Sequence, residues 1–184
     1  MDMYNDISFK IGEKLVVLIE QQSTFGPNLA LRILFYISDV FKAMVNSKTI
    51  YSSKPISLPW PEFYVLYNGQ ALFPDEKILR LSDLFTKPQE LGLPEKLKPL
   101  LDLEVKVINI NEGKNEAVVN RCKKLYEYSF FTAKAHAFWK KLGSLEEGIK
   151  TAIKYCRKHD IMSEFLERYG KEALINARRC RVDE

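Results

Sequence analysis

The run Leu15-Val16-Val17-Leu18-Ile19 constrains this chain more than any other feature. Five consecutive apolar residues, three of them β-branched, follow Gly12-Glu13-Lys14, and an alternating stretch from Asp6 to Ile11 precedes that turn. Branched side chains suit a pleated, buried surface, and a glycine among polar residues supplies turn chemistry, so this segment predicts a β-hairpin. Burial also selects its register, because directly opposed residues share a face of a sheet. With Gly12-Glu13-Lys14 as a three-residue loop, the numbers of paired residues sum to 26: Ile11 opposes Leu15, Lys10 opposes Val16, Ser8 opposes Leu18 and Asp6 opposes Glu20. One face then holds Ile7, Phe9, Ile11, Leu15, Val17 and Ile19, all apolar, while the other collects Asp6, Ser8, Lys10, Glu20 and Gln22 at one end. A two-residue Gly12-Glu13 turn would set Asp6 against Ile19 and mix polar with apolar on both faces, which burial disfavours.

Beyond the polar link Ser23-Thr24-Phe25-Gly26-Pro27, Asn28 is placed to cap a helix. Its apolar positions Leu31, Leu34, Phe35, Tyr36, Val40, Phe41 and Met44 run to about Val45, and its inner face is expected to cover the sheet. Pro55, Pro59 and Pro61 break the chain before a buried strand, Phe63 to Tyr67, which Asn68-Gly69 ends. The segment from Gln70 to Leu101, with prolines at 74, 88, 94 and 99, reads as a long crossover with one short helical candidate at Ile78 to Phe85. Leu103 to Asn109 alternates and predicts a fourth, half-exposed strand that closes the sheet. Helical periodicity then takes over in three segments near 114–134, 144–158 and 161–179, with breaks at Gly143 and Asp160. The expectation is an α/β chain with a mixed-sheet core over 1–111 and a helical accessory segment over 112–184.

A hydrophobic fraction of 46% and a charged fraction of 28% support a packed core and argue against disorder. No stretch approaches the roughly 18 apolar residues of a spanning helix, and the first residues are acidic and polar, so a cytoplasmic protein with no membrane partner is expected. Cys122, Cys156 and Cys180 are odd in number, far apart and without a CxxC pair, which supports neither a disulfide framework nor a zinc ribbon and fits a reducing compartment. With His136 and His159 the sole histidines, and no HExxH or Cys/His clustering, neither a zinc site nor a histidine-based triad is expected, and a metal would have to sit on oxygen. The net charge of +4 is uneven: residues 1–50 carry 0, 51–111 carry −1 and 112–184 carry +5. An anionic partner for the last third, or simply a solvated lysine-rich surface, accounts for that excess.

In the favoured register Asp6 and Glu20 stand side by side, with Cβ atoms roughly 4.5–5.5 Å apart, and like charges so placed destabilise a sheet. A hard divalent cation held by both would compensate, since Mg²⁺ takes oxygen ligands and is often bound through one or two carboxylates. Glu20 also ends a five-residue apolar run, where an unpaired carboxylate is costly to desolvate. The same acids are equally compatible with Asp6 in water at a chain end and Glu20 turned outward at the end of a strand. Gln22 alone is ordinary. Asn28, Arg32 and Tyr36 recur at i, i+4 and i+8 on one helix stripe, where Arg32 could meet a phosphate, brace Glu20, or snorkel at a helix–sheet edge.

The spacing Asp6…Glu20-x-Gln22, 14 residues between the acids, resembles the PD-(D/E)XK nuclease signature with Gln in the usual lysine position. The ordered blocks MYNDISFKIGEKLVVLIEQQSTFGPNLALRILFYISD, EFYVLYNG, PDEKILRLSDLF, LGLPEK and VKVININEGKN resemble the Rpn-type recombination-promoting nuclease and transposase family over about residues 4–160. The resemblance implies a restriction-endonuclease-like fold and metal-dependent DNA endonuclease activity, linked to recombination or mobile elements. It implies Asp6 and Glu20 as ligands of Mg²⁺ or Mn²⁺, and Gln22 in place of the lysine that orients water or steadies phosphate. It also makes Lys10, Asn28, Arg32 and Tyr36 candidates for contact with DNA. Lys10 shares the acidic face and could supply the charge that Gln22 lacks, since an amide does not titrate near neutrality.

The chain departs from that fold at its start. Met1 lies five residues before Asp6, so the helix and strand that usually precede the Asp-bearing strand are expected to be missing. Such a shortened core would expose a sheet edge that a second copy could pair with in a homodimer. A catalytically inactive, truncated nuclease-fold protein that binds nucleic acid or protein is the alternative expectation. In the last third, Arg121, Lys123, Lys124, Lys134, Lys150, Lys154, Arg157 and Lys158 are candidates for a phosphate-binding surface. Tyr126, Tyr128, Phe130, Phe131, Phe138, Trp139 and Tyr155 are expected to form the helical segment's own core rather than a base-stacking platform.

Overall fold

A computed structural model describes residues 7–11, 15–22, 24–45 and 49–170, with side chains described from residue 24 onward within those ranges. The chain divides into two units, Met1–Asn109 and Ile110–Glu184. The first is mixed α/β. Its elements are β1 (Ile7–Ile11), β2 (Leu15–Gln22), α1 (Leu29–Met44), β3 (Trp60–Tyr67), β4 (Glu76–Arg80) and β5 (Glu104–Asn109). They form one sheet of order β1-β2-β3-β5-β4, in which β2, β3 and β5 are parallel to one another and β1 and β4 run antiparallel at the edges.

The hairpin has the register that burial selects. Ile7 pairs with Ile19, Ser8 with Leu18, Phe9 with Val17, Lys10 with Val16 and Ile11 with Leu15. Helix α1 packs on one face of the sheet: Leu29, Ala30, Ile33, Tyr36 and Ile37 form a buried cluster with Val65, Tyr67, Phe73, Leu81, Val105 and Val107. Those helix positions recur every three or four residues and those strand positions every second one, the two periods that put apolar groups on one side of each element. Asn28 stands at the helix N-cap but makes no side-chain capping hydrogen bond, unlike the sequence expectation.

The crossover departs from expectation. Residues 76–80 form the edge strand β4 instead of beginning a helix, and Leu81–Leu84 continue as a single 3-10 turn. Cross-strand chemistry with β5 accounts for this: Arg80 meets the Glu104 carboxylate, and Lys106 Nζ lies 3.0 Å from Glu76 Oε2. Strand β5 is also more buried than its alternation implies, because Ile108 and Asn109 join Val105 and Val107 inside. Strand β3 starts at Trp60, three residues earlier than expected, with Pro61 tolerated near its start.

Asp102 holds the 3-10 turn to β5. Its carboxylate accepts hydrogen bonds from Ser82 N, Ser82 Oγ and Leu103 N, each 2.9 Å long. Slight burial pushes the Asp102 carboxyl up, but the Ser82 and Leu103 hydrogen bonds and the Arg80 charge outweigh it and hold it below its ordinary 3.8. Asp102→Ala is expected to cost about 1 kcal/mol in urea unfolding, as for a lost capping carboxylate. A depressed folded-state pKa gives stability that is present above the unfolded value and fades as pH falls through the folded one. The variant and wild type should therefore differ at neutrality and converge below 3.8.

The second unit contains α2 (Glu116–Val119), α3 (Lys123–Leu142), α4 (Leu145–Lys158) and a helical stretch at 163–170. Gly143 ends α3 in the left-handed region, φ 69°, with its N–H on Trp139 O at 2.8 Å. Ser144 then caps α4 by accepting Glu147 N, and Glu146 and Glu147 near the start oppose Arg157 and Lys158 near the end, in line with the helix dipole. The expected first helix is thus split around Asn120–Cys122 and runs on to Leu142; residues 171–179 of the expected third lie outside the described residues.

The core of this unit differs in kind from expectation. The fully buried residues of α3 and α4 are small: Ser129, Ala135, Gly148, Ala152 and Cys156. Gly148, Ala152 and Cys156 are spaced by four, so one face of α4 has no bulk, and a Cβ built on Gly148 would stand 2.7 Å from Trp139 N. Helices that close leave no room between them for rings. Tyr128, Phe130, Phe131, Phe138 and Tyr155 are half-buried, while Tyr126 and Trp139 are exposed. The Cys156 thiol is pushed up, chiefly by burial, and is not a reactive thiolate. Among the described residues no helix is long and apolar enough to cross a membrane.

Candidate functional site

The register fixes where most of the sequence-derived site residues stand. Glu20 pairs with Val65 and Gln22 with Tyr67. Val65 and Tyr67 belong to the cluster under α1, so positions 20 and 22 lie on the helix-covered face of the sheet. The six apolar hairpin positions 7, 9, 11, 15, 17 and 19 lie on the opposite face, with Glu62, Tyr64 and Lys106. Asp6 lies outside the described residues, as do the side chains of Lys10, Glu20 and Gln22.

Two rows cross the sheet on the α1 side. One runs Glu20, Val65, Val107, Lys77; the other runs Gln22, Tyr67, Asn109, at the ends of the three parallel strands. Tyr36 of α1 is 5% exposed within the same cluster, and Arg32 Nη2 donates to its Oη at 3.3 Å. Arg32 is half-buried and Asn28 exposed. Glu20, Gln22, Arg32 and Tyr36, singled out on separate grounds, are therefore brought to one side of the sheet.

Lys10 is not brought to them. It shares the face, but its partner Val16 precedes Glu20 by four residues, roughly 13 Å of strand, more than one lysine spans. Sequence reading passed over a second cation of this face, Lys77, which is no nearer. Lys77 stands in the Glu20 row three strands away, roughly 14 Å by ordinary interstrand spacing. Its ammonium lies 4.6 Å from the centre of the Phe25 ring, in the link between β2 and α1. Phe25 packs on Phe73 and Phe73 stacks on Tyr67, with centroids 5.4 and 4.3 Å apart. Tyr67 Oη donates to Ala71 O at 3.2 Å and Asn109 Nδ2 to Phe73 O at 3.1 Å, which fixes the loop beyond β3. The one signal for Asn109 in the sequence was a polar residue ending an apolar strand.

The opposite face is polar toward its β5 side. Tyr64 Oη donates to Glu62 Oε2 at 3.0 Å, and that hydrogen bond, helped by burial, pushes the Tyr64 phenol up. In the second unit, His136 is pulled down by burial and by Lys140. Three of the basic candidates are engaged in ion pairs: Lys123 with Glu127 at 3.7 Å, Lys150 with Glu146 and Glu147 at 2.9 and 2.8 Å, and Arg157 with Glu167 at 3.3 Å.

Among the described residues no group of three His, Cys, Asp or Glu side chains could hold a metal ion. The donors at issue, Asp6 and Glu20, lie outside that set. The carboxylate oxygens of an Asp and a Glu are hard donors of the kind that Mg²⁺ or Mn²⁺ takes. Comparison with protein-family models, with curated proteins and with solved structures gave no significant match.

Proposed function

We propose that the first unit is a metal-dependent DNA endonuclease that hydrolyses phosphodiester bonds on a restriction-endonuclease-like sheet, linked to recombination or mobile elements. One observation carries this reading: β1 and β2 pair from Ile7–Ile19 to Ile11–Leu15 in the register that the sequence selects, and it is in that register that the sequence reading sets Asp6 beside Glu20. Asp6 and Glu20 would hold Mg²⁺ or Mn²⁺. That ion supplies a Lewis acid that neutralises charge on the scissile phosphate and lowers the pKa of the attacking water. Gln22 positions water or a phosphate oxygen through its amide and moves no proton at neutral pH. Arg32, oriented by Tyr36, presents a guanidinium to the DNA backbone, with Asn28 at the exposed start of the helix beside it. Lys10 is a more distant phosphate contact, and Lys77 supplies positive charge near the β2–α1 link. Gln at position 22 also favours a second reading, an inactive nuclease-fold protein that binds nucleic acid or protein.

Thermal unfolding in EDTA and in Mn²⁺ separates the two. Removing one of two adjacent like charges relieves repulsion, so Glu20→Gln should equal or exceed wild type in stability in EDTA. At a free Mn²⁺ concentration about tenfold above its Kd, wild type should gain about 1.4 kcal/mol, several degrees in Tm, and the variant should gain nothing. Equal response of both proteins to Mn²⁺ would favour the binding reading.

A further inference from the structure

We propose that the aromatic flank of the α3–α4 hairpin is a binding surface for single-stranded nucleic acid. The small residues at the helix contact displace the rings to one side, where they form a connected series. Tyr126 and Phe130 centroids are 6.4 Å apart, Phe130 and Tyr155 6.4 Å at an interplanar angle of 25°, Phe138 and Tyr155 6.1 Å, and Tyr155 and His159 4.3 Å. Phe130 and Tyr155 are near-parallel at a separation that fits an offset stack, and both remain half-exposed. The helical stretch at 163–170 packs on the other flank of α4, where Gly170 approaches Ile153 and Glu167 pairs with Arg157.

Charge complementarity selects an anionic partner for these rings. Lys134 holds its ammonium 4.7 Å from the centre of the Phe130 ring. Phe130, Lys134, Phe138 and Lys141 follow one another at helical spacing on α3, and Lys158 is one turn beyond Tyr155 on α4, with Lys154 next to it. Lys154 and Lys158 are exposed and have no ion pair among the described residues. The acids at the same spacings, Glu127 and Glu147, are each paired to a lysine. At one end Tyr126 and Phe130 also line a cleft of about 240 Å³ with Asn120, whose amide can donate to and accept from a base edge, beside the carboxylates of Glu112 and Glu116. Rings that offer faces in sequence, with cations beside them, are what a flexible strand of stacked bases and phosphates fits, whereas a paired duplex hides its base faces. An acidic protein would use the cations without needing the rings.

This surface belongs to the second unit and the cleavage site to the first, and its test is run on the full chain in EDTA, where metal-dependent cutting does not contribute. The measurement is fluorescence anisotropy with an oligothymidylate of about 20 nucleotides against a duplex of equal length. The single strand should bind more tightly. Tyr155→Ala and Tyr126→Ala should each weaken it at least about fivefold, the effect of losing one stacked base. Lys154→Glu with Lys158→Glu should lower the salt dependence by about 1.4 in log–log slope. Tyr126 is exposed, so its variant reports even where Tyr155→Ala unfolds by circular dichroism. Equal affinity for duplex and single strand, unchanged binding in the folded tyrosine variants, or no binding at all would each overturn the proposal. Loss of nicking with retained oligonucleotide binding would overturn the cleavage reading and leave this one standing.

Discussion

Gly148→Ala is expected to destabilise the helical unit by about 2 kcal/mol or more, although alanine is the better helix former. The added Cβ would stand 2.7 Å from Trp139 N, 2.8 Å from Trp139 Cα and 3.0 Å from Trp139 Cβ, and the first two are backbone atoms that cannot rotate away. Relief requires α3 and α4 to separate, which also loosens Ala135, Ala152 and Cys156. Overpacking of this kind costs typically about 1–3 kcal/mol, against a propensity gain of up to about 1 kcal/mol, so a backbone collision should leave a net loss. Gly170→Ala is the control. Its Cβ would meet Ile153 side-chain atoms at 3.7 and 3.8 Å, an ordinary contact, and the change should be neutral or slightly stabilising. Urea unfolding of both variants by far-UV circular dichroism checks the pair, and equal stabilities would contradict the close helix contact.

Glu20→Ala is expected to reduce single-turnover cleavage of a labelled duplex by about a thousandfold or more, a loss of roughly 4 kcal/mol of transition-state stabilisation. Glu20→Gln should lose nearly as much, because the amide keeps the shape and removes the charge. Gln22→Lys is expected to raise the rate, since an ammonium at position 22 adds charge stabilisation that Gln lacks. Lys10→Ala should change cleavage little, because its place in β1 is roughly 13 Å along the sheet from that of Glu20. A residual rate in Glu20→Ala within tenfold of wild type would remove Glu20 from the site.

The hairpin was legible in the sequence because two independent constraints agree on it: a Gly-Glu-Lys loop of three residues, and a burial pattern that any slip would scramble. The α1 boundaries and the break at Gly143 were legible for a similar reason, since local chemistry sets them. β4 was not. Glu-Lys-Ile-Leu-Arg suits a helix as well as a strand, and its strand state comes from pairing with β5 through Arg80–Glu104 and Glu76–Lys106, residues 24 to 30 positions apart. The aromatic residues of α3 and α4 were assigned to a core because large rings usually occupy one. The spacing of four from Gly148 to Ala152 to Cys156 outweighed that tendency by drawing the helices together. In the candidate site, the shared face of Lys10 and Glu20 was legible, and so was their separation, since the register that puts Lys10 opposite Val16 follows from burial. Lys77 was hidden altogether, because it reaches the Glu20 row through β4.

The most direct test of the central claim is nicking of supercoiled plasmid by purified full-length protein in Mg²⁺, Mn²⁺, Ca²⁺ or EDTA, beside folded Asp6→Ala and Glu20→Ala proteins. The account predicts nicking in Mg²⁺ or Mn²⁺ that stops in EDTA and is lost in both variants. Intact plasmid in every metal with folded wild type, or nicking that persists in both carboxylate variants, would contradict it.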